Sequence, residues 1–428
     1  MQNVRLTEES KVPIKKAFLM YLIASMFLFF EMAVQVSPSV MTTQLMHDLQ
    51  MGVVGLGFMS GCYFYSYTAM QIPSGALLDR FNPRLVIVIS IMTCVLGCLF
   101  LGMSTDLVLA CFARMLMGFG SAFAFVSVLV VTADLFPSKY FATMTGITQM
   151  LAAFGAMSGQ LPVHMLVSSL GWRHTMFTCA ILGFLIAILV YNFLRYEKSV
   201  SHHEVRENVK VNFRAVIGST QTWYIAIYAC LLWAPMSAFT SLWGVPFLIN
   251  VDHLSAGTAA FFCSLMWLGL AVASPCLGYL STHFNNRKAG LVYSSCLGII
   301  SFALILFFHV GAPVLILLLF LAGAACSGQA LSFTLVKENN SSEVVATAIA
   351  FNNMAVVISG ALFQPLIGWL LSAISGNEIF KYHVAISIVL VAYLLGFLVA
   401  YFCIKEPKEV NALITPSSLF SRNVLQIS

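Results

Sequence analysis

Charge is what this chain has least of. Asp, Glu, Lys and Arg make up 9% of its 428 residues, against about a quarter in an ordinary soluble domain. The deficit excludes a solvated enzyme, a disordered chain and a nucleic-acid binder, each of which needs a charged surface. Paired cysteines are lacking too. The 11 cysteines are scattered singly, as at Cys62, Cys94, Cys98, Cys111, Cys179 and Cys230, with no Cys-x-x-Cys pair. They suggest neither a disulfide framework nor a zinc site and read as small packing residues. No Walker motif, zinc motif or nucleophile elbow occurs, so ATP-driven transport and hydrolysis are unsupported, and no cofactor, metal or enzyme activity is expected. His202-His203 has no other ligand type beside it and reads as solvated.

What is abundant is apolar surface: 60% hydrophobic residues and a mean hydropathy of +0.92. A helix crossing about 30 Å of hydrocarbon needs roughly 20 mostly apolar residues. Twelve segments qualify, at 17–41, 54–78, 84–103, 107–133, 140–168, 174–195, 221–249, 256–281, 288–309, 313–336, 343–372 and 383–404. The expected fold class is an all-α polytopic membrane protein in a lipid bilayer. The first segment is too long for a signal-peptide core and is expected to stay in the mature chain. The longest polar break, Tyr196 to Thr220, divides the spans six and six. The expected organisation is therefore a bundle over 1–197, a cytoplasmic linker over 198–219, a second bundle over 220–410 and a cytoplasmic tail over 411–428.

Bases fall unevenly. Eighteen lie on the side of the termini, from Arg5 and Lys11 through Arg80, Arg84, Lys139, Arg195 and Arg287 to Lys405 and Arg422; only Arg173 and Lys381 lie on the other. Arg114 is inside a span. Because Lys and Arg are retained in the cytoplasm, both termini are expected there.

The halves also resemble each other. Gly75 and Arg84, nine apart after span two, recur as Gly278 and Arg287 after span eight. At a shift of 204 residues, Gln149-Met150 falls on Asn353-Met354 and Gln160 on Gln364. Parallel six-helix repeats with substrate held between them near the midplane are one transporter plan.

These residues resemble the major facilitator superfamily over nearly the whole chain. Gly75-Ala-Leu-Leu-Asp79-Arg80-Phe-Asn-Pro-Arg84 resembles its loop 2–3 motif, with Pro83 where Gly or Arg is commoner. Arg114-Met-Leu-Met-Gly118-Phe-Gly120-Ser-Ala122 resembles its span-four motif, and Gly171-Trp172-Arg173 is a break familiar there. The resemblance implies two pseudo-symmetric six-helix bundles and alternating access. Its span-five antiporter motif is not matched, since the segment reads Gly155-Ala-Met-Ser-Gly159-Gln160-Leu-Pro162, which argues against drug/proton antiport. Within the superfamily, Gln71-Ile-Pro-Ser-Gly75 and Leu242-Trp243-Gly244-Val-Pro246-Phe resemble bacterial importers of small metabolites. Those include phagosomal amino-acid and nucleoside transporters of intracellular gammaproteobacteria; siderophore transporters of the same bacteria are similar.

An ionised side chain in hydrocarbon costs about 2.5–3.5 kcal/mol on the most lenient scale, so each needs a reason. Glu31 is about fourteen residues into span one and Arg114 about seven into span four from the opposite side, roughly 21 and 10 Å at the helical rise. The depths nearly coincide. The superfamily fold brings both spans to the central cavity, so the two can pair. At the shift of 204 their counterparts are Pro235 and Leu318, which confines this charge to one half. Two readings stand: a structural ion pair, or a proton-coupling site in which Glu31 carries a proton and Arg114 tunes it or receives an anionic substrate group.

Gln35 sits one turn beyond Glu31 on the same face, and Tyr63, Tyr67 and Gln71 form a polar-tipped stripe at i, i+4, i+8 on span two. Each suits either cavity lining or helix packing. Gln149, Trp233, Trp243, Asn352, Asn353 and Gln364 are further substrate-cavity candidates. His164 reads as an interfacial histidine, and Trp172 and Trp223 as belt anchors. In the loop 2–3 motif, Gly75 allows two helices to approach, Asp79 faces a helix N-terminus of the other half, and Arg80 and Arg84 bridge to carboxylates, so the motif closes the cytoplasmic side.

The function these residues imply is proton-coupled uptake of a small polar metabolite, of amino-acid or nucleoside class, by a monomer in the bacterial inner membrane. The competing readings are a proton-driven exporter or siderophore transporter, and a non-transporting membrane protein. Against the last, no catalytic constellation lies within spans and no soluble segment exceeds ~25 residues.

Overall fold

The computed structural model describes residues 13–136, 141–195, 209–284, 286–308, 310–341 and 344–406. Among them every regular element is helical. Eleven spans are long and apolar enough to cross a membrane: Ile14–Val40, Pro83–Met103, Leu107–Leu135, Met144–Leu170, Trp172–Phe193, Thr220–Asn250, Ala256–Ser281, Arg287–Phe307, Ala312–Asn339, Thr347–Ala373 and Glu378–Cys403. The twelfth, span two, is the 28-residue helix Val53–Arg80, as long but more polar because it carries Tyr63, Tyr65, Tyr67 and Gln71. All twelve expected spans are thus present. In the segment read as a linker, Val209–Gly218 is a short helix; the rest of that linker, His202-His203 and the tail lie outside the described residues.

Polar residues at the breaks start the helices. Asn82, Asp106, Ser219, Asn286 and Asn377 each accept a hydrogen bond from a backbone N–H in the first turn of spans three, four, seven, nine and twelve, satisfying donors that have no intrahelical partner. Spans one and seven change winding part-way. Span one is α-helical over Ile14–Val36 and then 3-10 over Ser37–Val40. Span seven is α-helical over Thr220–Ala234, π-helical over Pro235–Trp243 and α-helical again over Gly244–Asn250. Prolines stand at both changes: Pro38 lies in the 3-10 turn and has no N–H to donate back along the α-helical ladder, and Pro235 opens the π-helical segment.

Span one packs against spans four, five and six, and the halves meet where span two runs along span eleven and span five along span eight. At the end away from the termini the fit is close. A Cβ added to Gly57 would lie 2.7 Å from the Gln364 carbonyl, and one added to Gly368 would lie 2.6 Å from that of Val53. The 3-10 turn of span one rests on the π-helical segment of span seven. At the terminus-bearing end the opposite holds: a Cβ at Gly75, Gly146 or Gly278 would meet nothing within 4 Å. The close approach expected at Gly75 is therefore not made in this conformation. The halves stand together at one end and apart at the other.

Candidate functional site

Glu31, Tyr63 and Arg114 come from spans one, two and four and meet inside the first bundle, each no more than 1% exposed. Tyr63 donates its hydroxyl to Glu31 Oε1 at 2.6 Å. Glu31 Oε2 is buried without a partner. The Arg114 guanidinium lies 4.6 Å from the centre of the Tyr63 ring and donates to the carbonyls of Val34 at 3.2 Å and Gln35 at 3.3 Å. Among the described residues no ion pair joins Glu31 to Arg114. The direct pairing considered from the sequence is not made: Tyr63 stands between the two.

The reason lies at the end of span one. Pro38 cannot donate to the carbonyl four residues back, which is that of Val34, and the 3-10 turn likewise frees the carbonyl of Gln35. Those two oxygens, at the negative end of a 23-residue helix, are what Arg114 finds. The cation is held by a helix terminus and an aromatic face instead of a carboxylate. Gly118, one turn after Arg114, completes the assembly, because a Cβ there would overlap the Tyr63 carbonyl and the Ser66 hydroxyl. Any larger residue separates span two from span four.

The other candidates divide. Gln35 is buried beside the cluster and contributes its carbonyl. Tyr67 packs against Tyr63 with ring centres 5.8 Å apart and the rings tilted at 36°. Gln71 accepts from Asn353 Nδ2, a hydrogen bond between the halves. Trp243 and Gln364 belong to the closed end, where Trp243 Nε1 donates to the Gln364 carbonyl at 3.0 Å and Gln364 Nε2 to that of Ser237 at 2.7 Å. Asn352 is turned into the second bundle and donates to Ser332 Oγ at 2.8 Å. Gln149 is exposed and Trp233 partly so, its ring edge-on to Trp267 at 6.1 Å. Arg84 stacks on Tyr191 at 4.9 Å within its own half, where a bridge to carboxylates was expected. Arg80 is exposed, and the Asp79 side chain lies outside the described residues.

Sequence reasoning missed two groups. Gln160 donates from span five to the Thr240 carbonyl of the π-helical segment at 2.8 Å, crossing between halves. Its counterpart at the shift of 204, Gln364, donates into the same segment, so the repeat carried the signal. Trp267 falls on Tyr63 at that shift and has a buried Nε1 without a partner. His164 lies at this boundary too, its ring about 3.4 Å from where a Cβ at Gly257 of span eight would be.

Beyond the spans, Trp172 is not a belt anchor. It is 3% exposed and donates Nε1 to Asp48 Oδ2 at 2.8 Å, joining loop 1–2 to loop 5–6. Arg173 stacks on the Trp172 ring at 4.2 Å. Hydrogen bonds from His47 and Trp172, with the Arg173 charge nearby, hold the Asp48 carboxyl below its usual range against a small opposing cost of burial. Trp223 is 44% exposed and donates to the Ile217 carbonyl.

The two bundles meet at one end, and the charged cluster lies sealed within the first. The family model of the Major Facilitator Superfamily matches residues 18–363 and 244–426. The chain belongs to that superfamily and is an integral membrane protein. It is 26% identical over 188 residues, 42% of each chain, to a probable galactarate/D-glucarate transporter of Escherichia coli, GarP. It is 22% identical over 274 residues, 58% of this chain and 60% of the other, to a probable hexose phosphate transport protein of Chlamydia pneumoniae. These matches span less than two thirds of either relative. Among solved structures, a bacterial homolog of the human lysosomal transporter Spinster, inward-facing and occupied, superposes with a TM-score of 0.75 at 15% identity over 91% of this chain and 97% of that one. A point mutant of the nucleoside transporter NupG gives 0.74 at 13% identity over 89% and 100%.

Proposed function

We propose that this transporter takes up a small polar metabolite by alternating access and couples that movement to protons through Glu31. The observation that carries the proposal is the buried carboxylate with one oxygen bonded to Tyr63 and the other unpartnered. An ionised group so placed is costly, and a proton on Oε2 removes the charge. Arg114 is sealed behind Tyr63 and the end of span one, which favours its tuning Glu31 over its anchoring substrate in this conformation. The base count supports a bacterial inner-membrane protein with both termini cytoplasmic, so the open end faces the cytoplasm. Asp79, Arg80 and Arg84 then sit where that end must close, and Gln35, Gln149, Trp233, Trp243 and Gln364 belong to the path or its seal, with Asn352 bracing the second bundle behind it. A monomer holds the whole path.

Proteoliposomes with an imposed proton gradient test this with a panel of amino acids, nucleosides and, from the names of the relatives, galactarate and D-glucarate. Glu31→Gln is expected to abolish accumulation of whichever substrate is taken up while preserving its counterflow, which needs no net proton movement. Accumulation by Glu31→Gln at the unmodified level would remove Glu31 from the coupling role.

A further inference from the structure

The charged cluster lies wholly inside the first bundle, whereas alternating access occurs at the boundary between bundles. Some part of the chain must carry the state of one to the other. Span two is the element common to both, since Tyr63 holds Glu31 and the same helix runs along span eleven. The titratable groups facing Glu31 are Tyr63 and Tyr67 of span two and Cys94 of span three, and Arg114 of span four lies across the Tyr63 ring. Two of them lie on one stripe of span two, which continues at the next turn as Gln71.

Along that stripe the contacts are continuous. Tyr63 is bonded to Glu31, its ring rests on that of Tyr67, and the Tyr67 hydroxyl lies against the Gln71 amide. Gln71 Oε1 accepts from Asn353 of span eleven, and Gln71 Nε2 is buried with no partner. One turn further, Gly75 stands in open space. The Gln71–Asn353 bond therefore joins the halves at the inner edge of the gap.

We propose that Tyr63, Tyr67 and Gln71 are a link through which protonation of Glu31 sets the Gln71–Asn353 bond and hence the spread of the two halves. The proposal rests on Glu31 being the coupling group. With Glu31 ionised, Tyr63 is committed to a charge-assisted bond. With Glu31 protonated that bond weakens, and the Tyr63 hydroxyl is free to turn. Tyr67, packed against it, then re-seats so that its hydroxyl accepts from Gln71 Nε2, drawing the amide away from Asn353. This gives the orphaned nitrogen a partner in one state and Asn353 a partner in the other. Gln71 and Asn353 are positioning residues, and neither gains nor loses the proton.

The test needs no substrate. Spin labels on Gly146→Cys and Gly278→Cys, one in each half at the open end, are placed on a cysteine-depleted full-length chain in lipid nanodiscs, and their distance distribution is measured in acidic and alkaline buffer. The parent is expected to shift between the two. Gln71→Met, with Glu31 intact, is expected to lose the shift, and so is Asn353→Ala, a less buried position that guards against misfolding at Gln71. The reciprocal exchange Gln71→Asn with Asn353→Gln is expected to restore it. A full pH shift in Gln71→Met or Asn353→Ala overturns the link while leaving Glu31 in place. A full shift in Glu31→Gln, or no shift in the parent, overturns the coupling role of Glu31 itself.

Discussion

The two halves share a fold but not a chemistry. Where the first bundle places Glu31, Tyr63 and Arg114, the second has Pro235, Trp267 and Leu318 at the shift of 204 residues. Duplication kept the helices and the glutamines Gln160 and Gln364, both of which donate to the π-helical segment of span seven. It did not keep the charges. In the proposed cycle one half changes charge state and the other receives the consequence, and the bond between Gln71 and Asn353 lies where they meet.

The comparison breaks most severely at Arg114. Arg114→Leu installs the residue of the second half. It leaves the Gln35 carbonyl without its guanidinium donor and the Val34 carbonyl with only Ser37 Oγ, and it removes the cation beside Tyr63, for which about 3–5 kcal/mol is the usual cost of removing one partner from a buried charged site. Thermal unfolding in detergent is expected to show the largest drop of any variant considered, and an unchanged midpoint would mean that the guanidinium is not held by those carbonyls. Gly118→Ala comes next. The added methyl must push back the backbone at Tyr63, and overpacking of this kind costs about 1–3 kcal/mol. Accumulation is expected to fall with it, while Gly146→Ala, with nothing near it, leaves both unchanged.

Pro38→Ala sharpens the comparison from the other side. It supplies the N–H that the helix lacks, so the Val34 carbonyl has a third claimant beside Ser37 Oγ and Arg114, and Arg114 loses part of its hold. A loss of about 1 kcal/mol, the worth of one hydrogen bond, is expected although the α-helix itself is lengthened. A gain in stability would show that the proline serves only to end the helix.

The smallest effect is expected at Asp48, which ties loop 1–2 to Trp172. Its carboxyl is held below its unfolded range, so its contribution is fully present above a pH of about 3.9 and is lost as pH falls through the lower, folded value. Asp48→Asn is expected to lower the unfolding midpoint slightly at neutral pH and to match the unmodified protein in strong acid. A difference that persisted in acid would assign the effect to the hydrogen bond with Trp172 and not to the charge.

Much of this was legible before any coordinates. Long apolar runs between polar breaks located all twelve spans, because a segment in hydrocarbon has few alternatives to a helix. Glu31 and Arg114 stood out as charges at matching depth. Their partners did not, for a physical reason. The carboxylate is met by a tyrosine 32 residues away and the guanidinium by main-chain oxygens, and side-chain identity says nothing of a carbonyl set free elsewhere. Pro38 was the readable sign of it. Trp172 was misread because an aromatic residue near a span end serves a lipid interface as readily as a loop contact, and only the fold brings Asp48 to it.

The π-helical segment of span seven also sets a phase. An α-helix advances about 100° per residue, and a stretch whose hydrogen bonds close five residues apart holds more residues per turn, so the face presented by Thr220–Ala234 is not continued in register by Gly244–Asn250. The same wall of the protein is therefore written in two frames along one span. A cysteine-accessibility scan of span seven is expected to show helical periodicity on both sides of Pro235–Trp243 with a break in phase between them. Span three, an uninterrupted helix over Pro83–Met103, keeps a single phase throughout.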